Sequence, residues 1–240
     1  MSSVAVAIVC KVPLAGFSKT RLSPPLRPED CAALSACFIE DLARTVAGLT
    51  VGGTVAGYAL YTPVGGEAAL RRLLPDGFRL MAQSDGELGS RLIDGVAALF
   101  AAGHDGVILL NADSPTLPEG ILRAAVAAVR RASSVVLGPA IDGGYNQIGL
   151  AQSQPRLFTD MPWRTDVVYA RTLERARDLG LPVVSLPFWY DIDDAASLAL
   201  LEAELAGQRP PFAAAGLHGA DAPATRRFLT ELGAALGRQA

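Results

Sequence analysis

The apolar positions of this chain fall into two kinds of run that alternate along its length. Short β-branched runs give way to longer stretches in which apolar residues recur every three or four positions. Residues 4–10, Val-Ala-Val-Ala-Ile-Val-Cys, are apolar throughout and are followed by Lys11 and Pro13, which is the pattern of a buried strand. Further strands are expected at 54–61, at 78–81 on an edge, at 107–110 near the centre, and at 135–137, 145–150 and 183–185. A helix is expected over about 29–47, with Glu29 and Asp30 in its first turn and Leu34, Phe38, Leu42 and Val46 along one face. A short helix covers 67–74. Ser84-x-x-Glu87 and Thr116-x-x-Glu119 read as capping boxes for helices running to about 102 and 131. Thr165 would cap a helix ending at Gly180, and Asp193 or Asp194 one running to Leu205.

Strands that alternate with helices predict an α/β protein with a mostly parallel central sheet, helices on both faces, and right-handed crossovers. The pattern breaks at 207–222, a Pro- and Gly-containing linker, and resumes in an amphipathic helix over 224–238. The organisation is therefore a main domain over 1–206 followed by a linker and C-terminal helix over 207–240. No internal repeat is visible.

Composition narrows the function. Half of the 240 residues are hydrophobic, enough for a sizeable core, and the net charge of −3 makes nucleic acid an unexpected partner. Three cysteines without a C-x-x-C pair argue against a disulfide framework or a zinc site and for a reducing compartment. No apolar run approaches the length of a membrane span, so the expected location is the cytoplasm. The two histidines, His104 and His218, have no partner at metal-ligand spacing.

One loop carries unusual chemistry. The chain has 21 cationic side chains, yet only two are lysines, Lys11 and Lys19, and both stand in the loop after the first strand beside Pro13, Gly16, Thr20 and Arg21. Lysine supplies a compact, rotatable ammonium that arginine does not. A basic loop beyond the carboxyl end of a strand in an α/β sheet suits phosphate binding, although a merely solvated loop would look the same. Its spelling is neither the G-x-G-x-x-G of dinucleotide binding nor a Walker A loop.

Three acidic segments would face this loop. Asp113, in Asn111-Ala-Asp-Ser-Pro115, follows the most apolar strand; Thr116 with Glu119 would serve the next helix, leaving Asp113 free to ligate a hard divalent cation. Asp191 and Asp193, in Tyr190-Asp-Ile-Asp-Asp194, offer a second carboxylate, although Asp193 could act only as a helix cap. Asp142-Gly143-Gly144-Tyr145 is either a plain turn or a place where the backbone approaches a ligand closely. Trp163, in Pro162-Trp-Arg-Thr165, is either a core aromatic or part of that ligand pocket.

In order, K-x-P-x-x-G-x-x-K-T-R-L, N-A-D-S-P, G-P-A-x-D-G-G-Y, P-W-x-T and D-I-D-D resemble the nucleotide-diphospho-sugar transferase (GT-A) superfamily. More narrowly, the chain resembles the radical-SAM/selenodomain-associated transferases, often labelled arsenosugar-biosynthesis glycosyltransferases. The resemblance covers about residues 3–205. The first loop and the Asp-Gly-Gly turn are also similar to 2-phospholactate guanylyltransferases. The resemblance implies a three-layer Rossmann-like fold and a nucleotide-linked donor. It implies that Lys11, Lys19 and Arg21 bind phosphates and that Asp113 holds Mg2+ or Mn2+ with Asp191 or Asp193. It implies too that Asp142, Gly143 and Gly144 line the acceptor or sugar pocket, with Tyr145 and Trp163 beside them. Gln83, Gly86 and Arg91 match a further family stretch without an implied role. Asn146, Gln147 and Arg164 depart from the family pattern on the acceptor side.

The leading expectation is metal-dependent glycosyl transfer from a nucleotide sugar to a small-molecule acceptor, with Lys19, Arg21 and Asp113 as the catalytic groups. Nucleotidyl transfer that releases pyrophosphate is the rival, and a non-catalytic nucleotide-binding module is a reading of another class. A homodimer is left open. No Ser-His-Asp or Cys-His arrangement is legible.

Overall fold

A computed structural model of the chain describes residues 3–49, 53–131 and 134–236, the side chains of 235 and 236 excepted. Among these described residues there are seven strands, β1 Val4–Lys11, β2 Val55–Thr62, β3 Arg79–Ala82, β4 Gly106–Asn111, β5 Val135–Pro139, β6 Tyr145–Leu150 and β7 Val183–Ser185. The helices are α1 Pro28–Leu49, α2 Glu67–Arg71, α3 Leu88–Ala101, α4 Glu119–Arg131, α5 Val168–Asp178, α6 Ala195–Leu205 and α7 Pro223–Leu236. All seven strands join one sheet in the order β3-β2-β1-β4-β6-β5-β7. Every pairing is parallel except those of β6, which runs antiparallel to both β4 and β5. The sheet is α/β and mostly parallel, as its apolar patterning requires.

The sheet is buried on both faces. On one, Phe38, Leu42 and Val46 of α1 and Ile121, Ala125 and Val129 of α4 pack on Val6, Ile8, Ile108 and Leu110. On the other, Leu92, Val96 and Leu99 of α3 pack on Ala5, Ala7, Val107 and Leu109. This is why β1 and β4 read as unbroken apolar runs rather than alternating ones. β4 sits at the middle of the strand order, so its carboxyl end opens at the centre of the molecule's ligand-facing edge.

Several helix starts differ from expectation. Ser84 does not cap α3: its hydroxyl donates to Asp94, and the cap position is Glu87, which makes no side-chain capping bond. Thr116 does not cap α4 either. Its hydroxyl accepts from the Trp189 indole, while the first-turn amides of Ile121 and Leu122 donate to the carbonyl of Pro118. Thr165 stands outside α5 and donates to Pro162. In each case the hydroxyl has a tertiary or turn partner that competes with the cap. Asp194 is the cap of α6, in a reciprocal box with Ser197, which leaves Asp193 out of that role.

The C-terminal helix is fastened to the main body. The buried carboxylate of Asp41 on α1 accepts from the amides of Ala224 and Thr225, at 3.0 and 2.8 Å. Those amides belong to the first turn of α7, so a carboxylate from another helix performs the capping. Gly237 and Arg238, the expected end of this helix, lie outside the described residues.

Candidate active site

The loop after β1 turns through Gly16, at φ 77°, and Lys19, at φ 50°. A lysine in the left-handed region is uncommon, and it re-aims the side chain that follows. The backbone then enters a single 3-10 turn, Thr20–Leu22, whose Leu22 is buried. As a result the Lys19 side chain points inward with 5% exposure, whereas Lys11, Thr20 and Arg21 stay on the surface.

Lys19 Nζ lies 2.5 Å from Asp113 Oδ1, 2.5 Å from the carbonyl oxygen of Ile192 and 3.5 Å from Asp193 Oδ1. Arg21 reaches the other oxygen of Asp193 at 3.9 Å. The basic loop, the carboxyl end of β4 and the segment before α6 therefore converge on one crevice. The Phe38 ring lies beneath the ammonium, with its centroid 5.5 Å away. Asp113 and Asp193 keep 39% and 40% of their side chains exposed, so both carboxylates also face the crevice.

Asp191 is placed differently. Ser114 donates to its Oδ1 at 2.5 Å, and the same hydroxyl lies 3.2 Å from Asn111 Oδ1. Burial pushes the Asp191 carboxyl up to about 7; the bonds from Ser114 and Asn111 oppose that shift, and the charges of Asp113 and Asp142 add to it. Burial, with the charge of Asp113, likewise pushes the Cys10 thiol at the end of β1 up to about 12. The charge of Asp113 thus acts on both Cys10 and Asp191, and Lys19 is the cation paired directly with it.

The turn carrying Asp142 follows β5, close enough for its charge to act on Asp191. It is anchored by the Ala140–Trp189 bridge and by Trp189 N–H donating to Pro139. Asp142 Oδ1 accepts from Gly144 N at 2.9 Å, and Gly143 N donates to Ala140. Both glycine amides are thus committed within the turn. Gly143, at φ 86°, is packed so closely under the main chain of Asp166 that a Cβ would overlap the Asp166 carbonyl. Tyr145 and Trp163 meet edge to face with centroids 6.4 Å apart, and Trp163 also stacks on Phe158. Asn146 and Gln147 are buried at a bulge between β5 and β6, and neither amide atom of Gln147 has a hydrogen bond among the described residues. Arg164 adopts φ 68°.

Of the residues singled out from sequence, Lys19, Arg21, Asp113 and Asp193 come together directly. Asp191 and Asp142 join them through electrostatics. Lys11 stands exposed at the end of β1 and makes no ion pair among the described residues. Tyr145 and Trp163 pack into the core on the α3 side. Sequence reasoning missed Asn111 and Ser114 as the partners of Asp191, and the Ile192 carbonyl as a ligand of Lys19. The first two stood in the same Asn-Ala-Asp-Ser-Pro stretch as Asp113; a main-chain carbonyl leaves no mark in sequence.

Among the described residues no group of three or more His, Cys, Asp and Glu side chains is arranged to hold a metal ion. The oxygens around Lys19 Nζ are nonetheless hard donors that already hold a cation. Two carboxylates open to the crevice match Mg2+, which takes one or two protein carboxylates and completes its shell with water and substrate phosphates. Asp113 and Asp193 fit that requirement; Asp191 is turned toward Ser114.

A family model described as "Uncharacterized protein conserved in bacteria (DUF2064)" matches residues 30–165, more than half of the chain. The chain belongs to this family. The DUF2064 match takes in Asp113, the Asp142 turn and Trp163, and stops short of Asp191. No curated protein matches the chain in sequence. Among solved structures, a Desulfovibrio desulfuricans protein provisionally assigned as a nucleotide-diphospho-sugar transferase superposes with a TM-score of 0.80 at 27% identity, covering 98% of this chain and 96% of its own. CMP:2-keto-3-deoxy-manno-octonic acid synthetase, complexed with CTP, gives 0.55 at 14% identity over 86% of this chain and 99% of its own. Glucosyl-3-phosphoglycerate synthase from Mycobacterium tuberculosis, with Mn2+, UDP and glucosyl-3-phosphoglycerate, gives 0.50 at 12% identity over 85% and 77%. The last two share the fold alone. The DUF2064 chain thus has the Rossmann-like GT-A fold, and no helix among its described residues is long and apolar enough to cross a membrane.

Proposed function

We propose that the protein is a metal-dependent glycosyltransferase that moves a sugar from a nucleotide sugar to a small-molecule acceptor. One observation carries the reading: a basic loop and two crevice-facing carboxylates from distant parts of the chain meet at Lys19 Nζ. The transferase class is supported by the 27% identical D. desulfuricans relative, and nucleotide binding and a divalent ion by what the CTP- and UDP-bound relatives carry.

In such a transfer, charge develops on the oxygens of the departing diphosphate, and catalysis is mostly positioning and electrostatic stabilisation. Lys11 and Arg21, exposed on either side of the loop, bind and orient the diphosphate. Asp113 and Asp193 would hold Mg2+ or Mn2+, which when bound neutralises the leaving diphosphate. Asp142, in the turn after β5, accepts from an acceptor hydroxyl and fixes its approach. Tyr145, which follows that turn directly, and Trp163, packed against it, support the turn from the core.

A second reading is nucleotidyl transfer from a nucleoside triphosphate to a phosphorylated acceptor. It is favoured by Lys11, an exposed cation free of ion pairs among the described residues and suited to a pyrophosphate leaving group. One pair of assays separates the readings. With Mg2+, nucleotide sugars should yield nucleoside diphosphate, and nucleoside triphosphates with phosphorylated acceptors should yield no pyrophosphate. Pyrophosphate release would establish the second reading. Nucleotide binding that survives Asp113→Ala, with no turnover of any donor, would mark a binding module instead.

A further inference from the structure

Lys19 occupies a position that a phosphate-binding lysine cannot use for phosphate. An ammonium has three N–H donors, and the three oxygens of Asp113, Ile192 and Asp193 surround this one at 2.5, 2.5 and 3.5 Å. Its side chain is 5% exposed and rests on Phe38. The two carboxylates it holds are the ones that face the crevice and fit a divalent ion.

We propose that Lys19 is a tethered cation that competes with the divalent metal ion for Asp113 and Asp193, and that nucleotide phosphates draw it away. This rests on the cation-binding part of the function proposed above. A doubly charged ion on these carboxylates would stand beside the ammonium, and like charges so close repel strongly where water is scarce. The two cannot share the oxygens, so one leaves. The loop gives Lys19 somewhere to go: its neighbour Arg21, 65% exposed, already reaches Asp193 at 3.9 Å, and Lys19 is joined to it through a left-handed backbone position at the start of one 3-10 turn. Because coupling between two ligands is reciprocal, phosphate that removes Lys19 tightens the metal site, and metal that removes Lys19 supplies an ammonium for phosphate. The device makes the metal site weak until a nucleotide arrives.

The composition supplies the test. With only Lys11 and Lys19 in the chain, lysine-selective 13C labelling of the unaltered full-length protein gives two ε-CH2 resonances, assigned by the loss of one in Lys19→Met. Adding Mg2+ should move the Lys19 resonance and leave that of Lys11. UDP in EDTA should move Lys19 as well. Free Mn2+ followed by electron paramagnetic resonance should show Lys19→Met binding the ion about tenfold more tightly than the unaltered protein, within the usual range of such couplings. Mn2+ binding that leaves the Lys19 resonance in place, or that is no tighter in Lys19→Met, would overturn the proposal, as would the absence of Mn2+ binding to both proteins. The titrations are read on the unaltered protein, and Lys11→Met supplies the same assignment should Lys19→Met fail to fold. Failure of every donor assay would end the transferase reading and leave the exchange of cations standing or falling on these titrations alone.

Discussion

Ile192 donates its backbone N–H to the carbonyl of Asp113 at 2.9 Å. This bond ties the segment before α6 to the end of β4 without using any side chain, and it sets Asp113 and Asp193 on either side of Lys19. The placement of the acids is therefore a property of the backbone. Their charge can be removed without dismantling it.

Asp113→Asn tests that separation. The main-chain bond to Ile192 persists, and Lys19 keeps the Ile192 carbonyl and Asp193. With Asp113 39% exposed, the lost ion pair is partly screened, so the expected loss of stability is only about 1 kcal/mol. Turnover of the nucleotide-linked donor should fall by about 100-fold or more, the scale for removing a group that stabilises transition-state charge. Thermal melting paired with a donor assay checks both. A collapse of the melting temperature would show that the carboxylate builds the site instead of acting in it.

Gly143→Ala and Gly16→Ala should differ sharply. Both glycines have positive φ, 86° and 77°, but a Cβ at Gly16 meets nothing within 4 Å, whereas at Gly143 it overlaps the Asp166 main chain. Gly16→Ala should cost about 1 kcal/mol of conformational strain and leave the site intact. Gly143→Ala adds a backbone clash, should cost upwards of about 2 kcal/mol, and should displace the Asp142 turn. Urea unfolding of the two variants separates the two costs; equal losses would mean that the turn yields at no expense.

The two glycines also mark how far the sequence could be read. Strand identity was legible because a two-sided sheet demands unbroken apolar runs, as in β1 and β4. So was Asp113, whose place after the most apolar strand needs no tertiary knowledge. Helix starts were less legible: Thr116 and Ser84 spell capping boxes, yet Trp189 and Asp94 claim their hydroxyls, and both partners come from outside the local motif. The expectation that Asp113 was surplus because Thr116 caps α4 thus started from a cap that does not form. The inward turn of Lys19 was hidden for a similar reason. It depends on a left-handed backbone angle at a non-glycine residue and on the Ile192 carbonyl, and neither is encoded by residue type alone.

Asp41→Ala should loosen the C-terminal helix. The carboxylate is buried, and its two oxygens accept from the amides of Ala224 and Thr225 at the start of α7. Arg44 stands 3.8 Å away and offsets part of its charge. Removing the carboxylate leaves two first-turn amides without their acceptor, which should cost about 2 kcal/mol or more. Limited proteolysis should then cut within 207–236 first, while the main body stays resistant. Unchanged proteolysis with lowered global stability would show instead that α7 unfolds only together with the sheet.

His104 should give the protein an acid-side loss of stability. It is buried at the opposite edge of the sheet from the crevice, with Nε2 2.8 Å from the Tyr58 hydroxyl and Nδ1 2.9 Å from Ser3 Oγ. Arg79 donates to the Tyr58 oxygen at 2.8 Å, so the Tyr58 hydrogen is directed at Nε2, and the imidazole hydrogen belongs on Nδ1. Burial and then the Arg79 charge lower the His104 pKa, and Asp105 opposes them in part. The folded protein therefore holds fewer protons at this site than the unfolded chain. The stability from neutral His104 is complete above the unfolded value of about 6.5 and is lost as pH falls from there through the folded value. Asp191, pushed up to about 7, contributes with the opposite sign over the same range, so the His104 part must be read from a difference. Melting temperatures of the unaltered protein and of His104→Gln, measured from about pH 7.5 to pH 5, should converge as the solution is acidified. Parallel curves would mean that His104 carries the same proton in the folded and unfolded chain.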